Sequence, residues 1–436
     1  MKKKIGIITL GCKVNQYESE AFAEALRERG YDICDIGDAC DGYIVNTCTV
    51  TAEADRKSKQ MIRRVSRNSH AAPIVVTGCT AEYCSEELSK IEGVIAVCGN
   101  AKKLECVEIL DRHFRSAGSS DAAPIICVPP IEDAEFERMS LTAFPRTRVY
   151  IKIEDGCENK CAYCAIPGAR GNVRSKQPED VLNEVRGFIA AGCREIVLTG
   201  IETASYGKDL PGVTLSSLLC EVDKIADGCT IRLGSLDPSL FKQGFVDGIA
   251  GLSSLAPHFH ISLQSGSSHV LALMKRKYNA DGARAAIARL REAIPGVMFT
   301  TDVITGFPGE TEEDHAETEE FLKEARFLSA HIFPYSEREG TIAATMKDKV
   351  PVEVRRERAA RLTEIQKMIR SEILDAEIAQ SPERKVLFET FENGKVCGHT
   401  DSFLEVSADS DIDLHGQIRT VKLTHHDGNV CHGIII

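Results

Sequence analysis

"GCENKCAYC", Gly156 to Cys164, sets Cys157, Cys161 and Cys164 in the pattern C-x3-C-x2-C. Its position decides the fold. It follows "VYIKI", the first of six short apolar runs; the others are "EIVLTG", "TIRLGS", "HFHISL", "MFTTDVITG" and "SAHIFPY". Amphipathic helical stretches separate them. In "QPEDVLNEVRGFIAAG", Val181, Leu182, Val185, Phe188 and Ile189 share one stripe, with Pro178 near the start and Gly192 at the end. Six βα units predict an incomplete parallel barrel, whose chemistry belongs at the strand carboxyl ends. The cysteine motif occupies such an end.

Working outward, "SAGSSDAAP" and "VPPIEDAEFERMS" break all periodicity and mark a linker over 115–147. Before it, over 1–114, "IGIITLG", "GYIVNT" and "PIVVTG" alternate with polar helical stretches such as "ESEAFAEALRERG", which predicts an open parallel sheet. Cys12, Cys48 and Cys79 each sit just past one of these strands. Strand carboxyl ends line one edge of such a sheet, so these distant thiols are expected to converge. Cys34, Cys40, Cys84, Cys98, Cys106, Cys127, Cys193, Cys220, Cys229, Cys397 and Cys431 lack that context and read as structural.

The central unit spans 148–375. A long helix with a basic start is expected over about 351–379. The last unit, 376–436, changes to short strands and reads as a small antiparallel β-barrel. The fold class is therefore α/β: an open parallel sheet, a partial (β/α)6 barrel and a small β-barrel.

Composition limits the chemistry. With 43% hydrophobic and 27% charged residues among 436, the chain reads as soluble and globular, with no signal-like or membrane-spanning run. Seventeen cysteines without an export signal predict reduced thiols in the cytoplasm, some of them binding metal. A net charge of −12 disfavours generic polyanion binding. Locally, however, "DRKSKQMIRRVSRNSH", Asp55 to His70, is strongly basic.

Three readings compete for Cys157, Cys161 and Cys164. Structural zinc needs a fourth ligand, and "AIPGARGNVRSK" offers no Cys or His. A redox disulfide leaves one thiol over. A cubane iron–sulfur cluster on three thiolates leaves one iron open, as a catalytic metal requires, and fits best. Tyr163 suits packing beside a bound ring.

These residues are recognisable. "CENKCAYC" resembles the signature of radical S-adenosylmethionine enzymes, while "LGCKVNQYESE", "VNTCTVTAEADRKSKQ" and "VTGC" resemble the first domain of the methylthiotransferases within that superfamily. "LTGIETASYG", "RLGSLDPS", "HISLQSG", "TTDVITGFPGE" and "FPYSEREGT" extend the likeness over nearly the whole chain. The wording is most similar to the bacterial branch acting on N(6)-threonylcarbamoyladenosine of tRNA.

The resemblance implies a radical S-adenosylmethionine domain at 148–375 and an RNA-tethering TRAM domain at 376–436. It implies two 4Fe-4S clusters, one on Cys157, Cys161 and Cys164, the other on Cys12, Cys48 and Cys79. The first chelates S-adenosylmethionine and yields a 5′-deoxyadenosyl radical; the second carries the sulfur to be delivered. Gly306, Gly309 and Glu310 in "GFPGE", with Gln264 and Tyr163, are expected near the cofactor. Gln264 could equally make a structural hydrogen bond, and Glu310 could simply favour a helix start. The implied reaction is methylthiolation of C2 of the modified adenosine at position 37, beside the anticodon. It needs a flavodoxin- or ferredoxin-type electron donor and a sulfur donor, and no membrane.

The last unit has five Lys/Arg against nine Asp/Glu between Pro382 and Ile436, so RNA binding is expected to rest on the basic helix, Lys275, Arg276, Lys277, Arg355 and Arg356. Alternatives are another tRNA adenosine, a ribosomal-protein aspartate, or a non-catalytic iron–sulfur RNA-binding regulator.

Overall fold

The computed structural model describes residues 2–34, 40–68, 72–116, 123–139, 141–142, 147–380 and 382–436. The first unit runs β1 (Lys4–Thr9), α1 (Lys13–Glu28), β2 (Asp32–Cys34), β3 (Gly42–Thr47), α2 (Ala52–Asn68), β4 (Ile74–Gly78), α3 (Cys79–Ser89), β5 (Val94–Cys98), α4 (Glu105–Arg115) and β6 (Ile125–Cys127). Its six strands form one parallel sheet in the order β2-β1-β3-β4-β5-β6. The strand interiors are continuous apolar runs because helices cover both faces. After β1 the chain turns to one side for β2 and to the other for β3. A crevice is thus expected at their carboxyl ends, the usual ligand position in such sheets.

Two expectations change here. The stretch 115–147 supplies edge strand β6, a 3-10 turn at Ile131–Asp133, and the buried side chains Met139 and Leu141, so it is built partly into the fold. An edge strand of three residues, "IIC", is too short to show a period. Cys34 and Cys40 are joined by a disulfide, contrary to the expectation of reduced thiols throughout. Their Cα atoms lie 6.6 Å apart, within bridging reach, which spacing alone does not reveal.

The second unit contains β7 (Arg148–Lys152), the short antiparallel pair β8 (Glu154–Asp155) and β9 (Arg174–Ser175), and between them α5 (Ile166–Arg170). It continues with α6 (Pro178–Ala190), β10 (Glu195–Thr199), α7 (Leu215–Asp223), β11 (Thr230–Leu233), α8 (Gln243–Ile249), β12 (His258–Gln264), α9 (Ser268–Leu273), α10 (Ala280–Ala293), β13 (Met298–Thr305), α11 (Glu312–Ala325), β14 (Ser329–Pro334) and α12 (Ile342–Thr345). Strands β7, β10 and β11 pair in parallel, as do β12, β13 and β14. The bridges Ile231 to Leu255 and Leu236 to Ile261 join the halves into a six-stranded partial barrel. Phe259, Ile261 and Leu263 are fully buried towards the helices, so the alternate residues of β12 face the lumen.

Helix α13 (Val352–Gln380) packs along β14 and runs past residue 375 into the last unit. There β15 (Glu383–Glu392), β16 (Lys395–Thr400), β17 (Glu405–Asp409), β18 (Ile418–His426) and β19 (Cys431–Ile435) close a barrel. Four pairings are antiparallel, but β17 and β19 run parallel, a departure from the all-antiparallel expectation. This barrel caps the amino-terminal end of the larger one. Phe403, held at φ 74°, stacks on His258 at 4.6 Å between ring centres and lies under the guanidinium groups of Arg148 and Arg232. Around it Arg148 binds Glu389 at 2.8 Å, and His399 binds Glu195 and Glu389, each at 3.0 Å.

Candidate active site

The register of the first sheet brings Cys12, Cys48 and Cys79 together. Thr9 pairs with Asn46, and Thr47 with Gly78, so the three thiols leave adjacent strands at one level. The loops are tightly specified. Gly78 has φ 97°, and a Cβ there would collide with the Thr47 backbone. The Cys48 amide donates to Ser58 Oγ at 3.1 Å, while Ser58 and Thr80 hydroxyls donate to the Cys48 carbonyl at 2.9 and 2.8 Å. Asn15 Nδ2 donates to the carbonyls of Leu10 and Thr47 at 2.7 and 2.9 Å, tying the loop of Cys12 to that of Cys48.

The second trio leaves β8. Gly156, with φ 89°, abuts the Asn172 backbone where a side chain has no room. The Cys157 amide donates to Gly171 O at 2.9 Å, and Ala162 N donates to Met274 O at 2.9 Å, anchoring both ends of the motif. Donors already face these sulfurs: Arg276 Nη1 lies 3.1 Å from Cys161 Sγ, and Ile166 N lies 3.4 Å from Cys164 Sγ. Burial pushes the Cys157 thiol up to about 12 and those of Cys164 and Cys48 up to about 11.

The two trios adjoin. Helix α5, just after Cys164, packs against α3, which begins with Cys79; the Tyr83 hydroxyl donates to Ala165 O, and Asn100 Nδ2 donates to Ala169 O at 2.7 Å. A cavity of about 650 Å3 opens beside this contact, lined by Cys164, Tyr83, Cys84, Asp55, Lys59 and Arg338 among others.

Arg170 links the trios. It is fully buried; Nε lies 3.4 Å from Cys79 Sγ, Nη2 donates to Asn15 Oδ1 at 2.6 Å, and Nη1 donates to Glu18 at 2.7 Å and Asp155 at 3.2 Å. Lys152 pairs with the same two carboxylates, each at 3.2 Å, and Lys103 also pairs with Glu18. Arg174, also buried, lies 3.5 Å from Asp155, so four buried cations face two buried anions beside Cys79. The sequence reading missed this network. Its signal was a lysine inside the apolar run "VYIKI" and an arginine in "AIPGARG", neither of which advertises a long-range partner.

Other expected site residues fall unevenly. Tyr163 sits edge-on to Phe307 of "GFPGE" at 6.4 Å, and Gln264 is buried at the end of β12 with φ 69°, where a bulge re-aims the strand. The Glu310 carboxylate is spent internally, accepting from the Gly306 and Phe307 amides at 2.9 and 3.2 Å and from Arg358 at 2.9 Å. It closes the loop over Gly306 and Gly309.

The RNA-facing expectation also narrows. Arg276 is consumed by Cys161 and by Asp237 at 2.7 Å, and buried Arg355 by the carbonyls of Val350 and Tyr335 at 2.7 and 3.1 Å. Lys275, Lys277 and Arg356 are exposed. On α2, Arg56, Lys57, Lys59 and Arg63 pair with acidic neighbours, which leaves Arg64 and Arg67 exposed and, among the described residues, without an ion-pair partner. Residues 69–70, the end of the basic run, lie outside the described part.

The donor set fits iron–sulfur clusters. Each thiolate of a cubane binds its own iron, so three thiols must ring a cluster and not meet at one point. Among the described residues no three Cys, His, Asp or Glu side chains converge on a single-ion site. N–H groups and an unbalanced buried positive charge stand where thiolate sulfurs need them.

A parallel sheet bearing three thiols beside a partial barrel bearing three more defines a class of iron–sulfur enzyme. Residues 4–99 match the Uncharacterized protein family UPF0004, and residues 151–322 match the Radical SAM superfamily. The chain is 38% identical to threonylcarbamoyladenosine tRNA methylthiotransferase MtaB of Bacillus subtilis, over 95% of this chain and 92% of that one. It is 32% identical to tRNA-2-methylthio-N(6)-dimethylallyladenosine synthase of Carboxydothermus hydrogenoformans over the full length of both. In fold it resembles the radical S-adenosylmethionine methyltransferase TsrM of Kitasatospora setae (TM-score 0.58, 16% identity, 79% of this chain and 77% of that one). The chain belongs to the radical S-adenosylmethionine tRNA methylthiotransferase family. It is an enzyme, and the cofactors of its family are S-adenosylmethionine and 4Fe-4S clusters, two in the methylthiotransferases.

Proposed function

We propose that this chain adds a methylthio group to C2 of N(6)-threonylcarbamoyladenosine at position 37 of tRNA. The observation that carries the reading is the contact between the two three-thiol sites through α3 and α5, with Cys164 opening on a cavity at that contact, which suits a radical generator and a sulfur donor sharing one substrate. Cys157, Cys161 and Cys164 would hold one cluster, and Cys12, Cys48 and Cys79 the other. When bound, the clusters supply one-electron cleavage of S-adenosylmethionine and a transferable sulfur. The protein's own part is positional: Arg276, Arg170 and the Ile166 amide stabilise sulfur charge, and the Tyr163 ring, braced edge-on by the fully buried Phe307, offers a packing face. The cavity beside Cys164 and α3 keeps the reacting base out of bulk water.

The domain limits 1–114, 148–375 and 376–436 are kept as the proposed functional units, with the continuous helix α13 crossing the last boundary. Arg64, Arg67, Lys275, Lys277 and Arg356 are the proposed phosphate contacts. Among the described residues no helix is long and apolar enough to cross a membrane; action on tRNA in the cytoplasm, with a small electron-transfer protein and a sulfur donor, follows from the reading. The choice of base rests on relatives at 36–38% identity named for threonylcarbamoyladenosine. Mass spectrometry of tRNA nucleosides from a deletion strain tests it. Loss of the 2-methylthio-N(6)-threonylcarbamoyl nucleoside supports it, and loss of the dimethylallyl counterpart instead overturns it.

A further inference from the structure

The lumen of the partial barrel holds a polar cluster that neither thiol site uses. On β13, Asp302 Oδ2 accepts from His260 Nε2 at 3.1 Å, and Oδ1 from His331 Nδ1 at 3.2 Å. Thr300 Oγ1 stands 3.0 Å from both His258 Nε2 and His260 Nδ1. The side chains come from three adjacent strands and alternate with residues packed outward. His331 is 73% solvent-exposed, and among the described residues its Nε2 has no partner.

Lys13, one residue beyond Cys12, enters the same space. It lies within electrostatic reach of Asp302, Glu195, Arg148, Arg232, His258 and His331, yet among the described residues its ammonium makes no hydrogen bond or ion pair. Arg148 and Arg232 are already held by Glu195, Glu389 and the Asp401 carbonyl. Arg148 Nε and Arg232 Nη1 also lack a hydrogen-bond partner among the described residues but are themselves buried, so Lys13 and His331 are the accessible unspent cationic donors here. The hydrogen bond from Asp302 raises the His331 pKa, favouring the imidazolium. His258, a residue 4% exposed, also has an Nδ1 without a hydrogen-bond partner among the described residues.

His331 lies three residues before the end of β14, so the cluster sits about 10 Å below the mouth that carries Cys157 to Cys164. A base presented at that mouth reaches this depth only through its own substituent. A hydrocarbon substituent would displace water from the half-buried lysine and the imidazole without replacing its hydrogen bonds, which is unfavourable; a carboxylate satisfies both.

We propose that Lys13 and His331, the latter oriented by Asp302, bind the carboxylate of an amino-acid substituent on the substrate base, and so choose that base over one with an apolar substituent. This rests on the threonylcarbamoyladenosine reading and gives it a recognition device.

The test is binding to the reconstituted, full-length enzyme under anaerobic conditions. Fluorescence anisotropy compares anticodon stem–loop RNAs carrying threonylcarbamoyladenosine, dimethylallyladenosine or adenosine at position 37. The wild type is expected to prefer the first by about tenfold or more, the scale of a charge-assisted hydrogen bond. Lys13→Met and His331→Phe, which lie on different elements, should each remove most of that preference. Iron and sulfide analysis restricts the comparison to protein that keeps both clusters. A wild-type preference that survives in both variants overturns the subsite alone. A wild type that prefers the dimethylallyl RNA overturns the underlying reading as well.

Discussion

At the scale of single residues, Arg170 is the connection on which both thiol sites depend. Removing one member of a buried charged network leaves its partners unpaired, at a cost of about 3–5 kcal/mol. Arg170→Met is therefore expected to lower unfolding free energy by about that much in denaturant titrations, with Arg170→Lys in between because it keeps the charge and loses the fork. A melt of Arg170→Met indistinguishable from wild type would show that the network is already balanced. The six thiol positions were legible in the sequence because strand-end placement and the C-x3-C-x2-C spacing are local patterns. Arg170, Glu18 and Lys103 were not, since a partner up to 152 residues away leaves no local trace. Glu310 shows the converse: a residue in a recognisable motif whose carboxylate closes its own loop.

At the scale of elements, the docking of the small barrel rests on His399. Burial opposes its protonation, but hydrogen bonds to Glu195 and Glu389 outweigh burial and raise its pKa, while Glu195 and Glu389 are lowered. For a raised histidine, the contribution is full below the ordinary value of about 6.5 and fades as pH rises through the folded value. For the lowered carboxylates, it is present above about 4.3 and fades as pH falls. Docking should thus be strongest near pH 5 to 6.5 and weaken towards pH 8. Differential scanning calorimetry of wild type against His399→Gln checks this: the wild-type advantage in Tm should shrink with rising pH, and an advantage that grows instead would contradict the assignment. Phe403→Ala, which empties the space between Arg148, Arg232 and His258, should destabilise the same interface by about 2 kcal/mol, below the range for fully buried aromatic truncations because Phe403 is only partly buried. Faster amide exchange across β15 to β19 would report it. All six barrel strands and the helix Val352–Gln380 were readable from period and apolar runs. Strand β6, the parallel pair β17 and β19 and the Cys34–Cys40 bridge were not, because pairing is decided by tertiary contact.

At the scale of the whole molecule, a sheet and a partial barrel set their carboxyl ends against one another. That arrangement sets the two three-thiol sites against one another across α3 and α5, with Cys164 on a cavity at the contact, and it is the reason to propose different tasks for them. Salt should weaken tRNA binding steeply despite the net charge of −12, since the exposed cations of α2 and the loop at Lys275 to Lys277 supply the phosphate contacts. Arg64→Glu combined with Arg67→Glu should flatten the salt slope in filter-binding assays. The division of labour has the most direct test. Enzyme reconstituted anaerobically is given dithionite, S-adenosylmethionine and tRNA, and 5′-deoxyadenosine and methylthiolated nucleoside are quantified together for wild type, Cys161→Ala and Cys48→Ala. Separate roles predict loss of both products in Cys161→Ala, and continued 5′-deoxyadenosine without methylthiolation in Cys48→Ala; equal loss of both products in the two variants would contradict them.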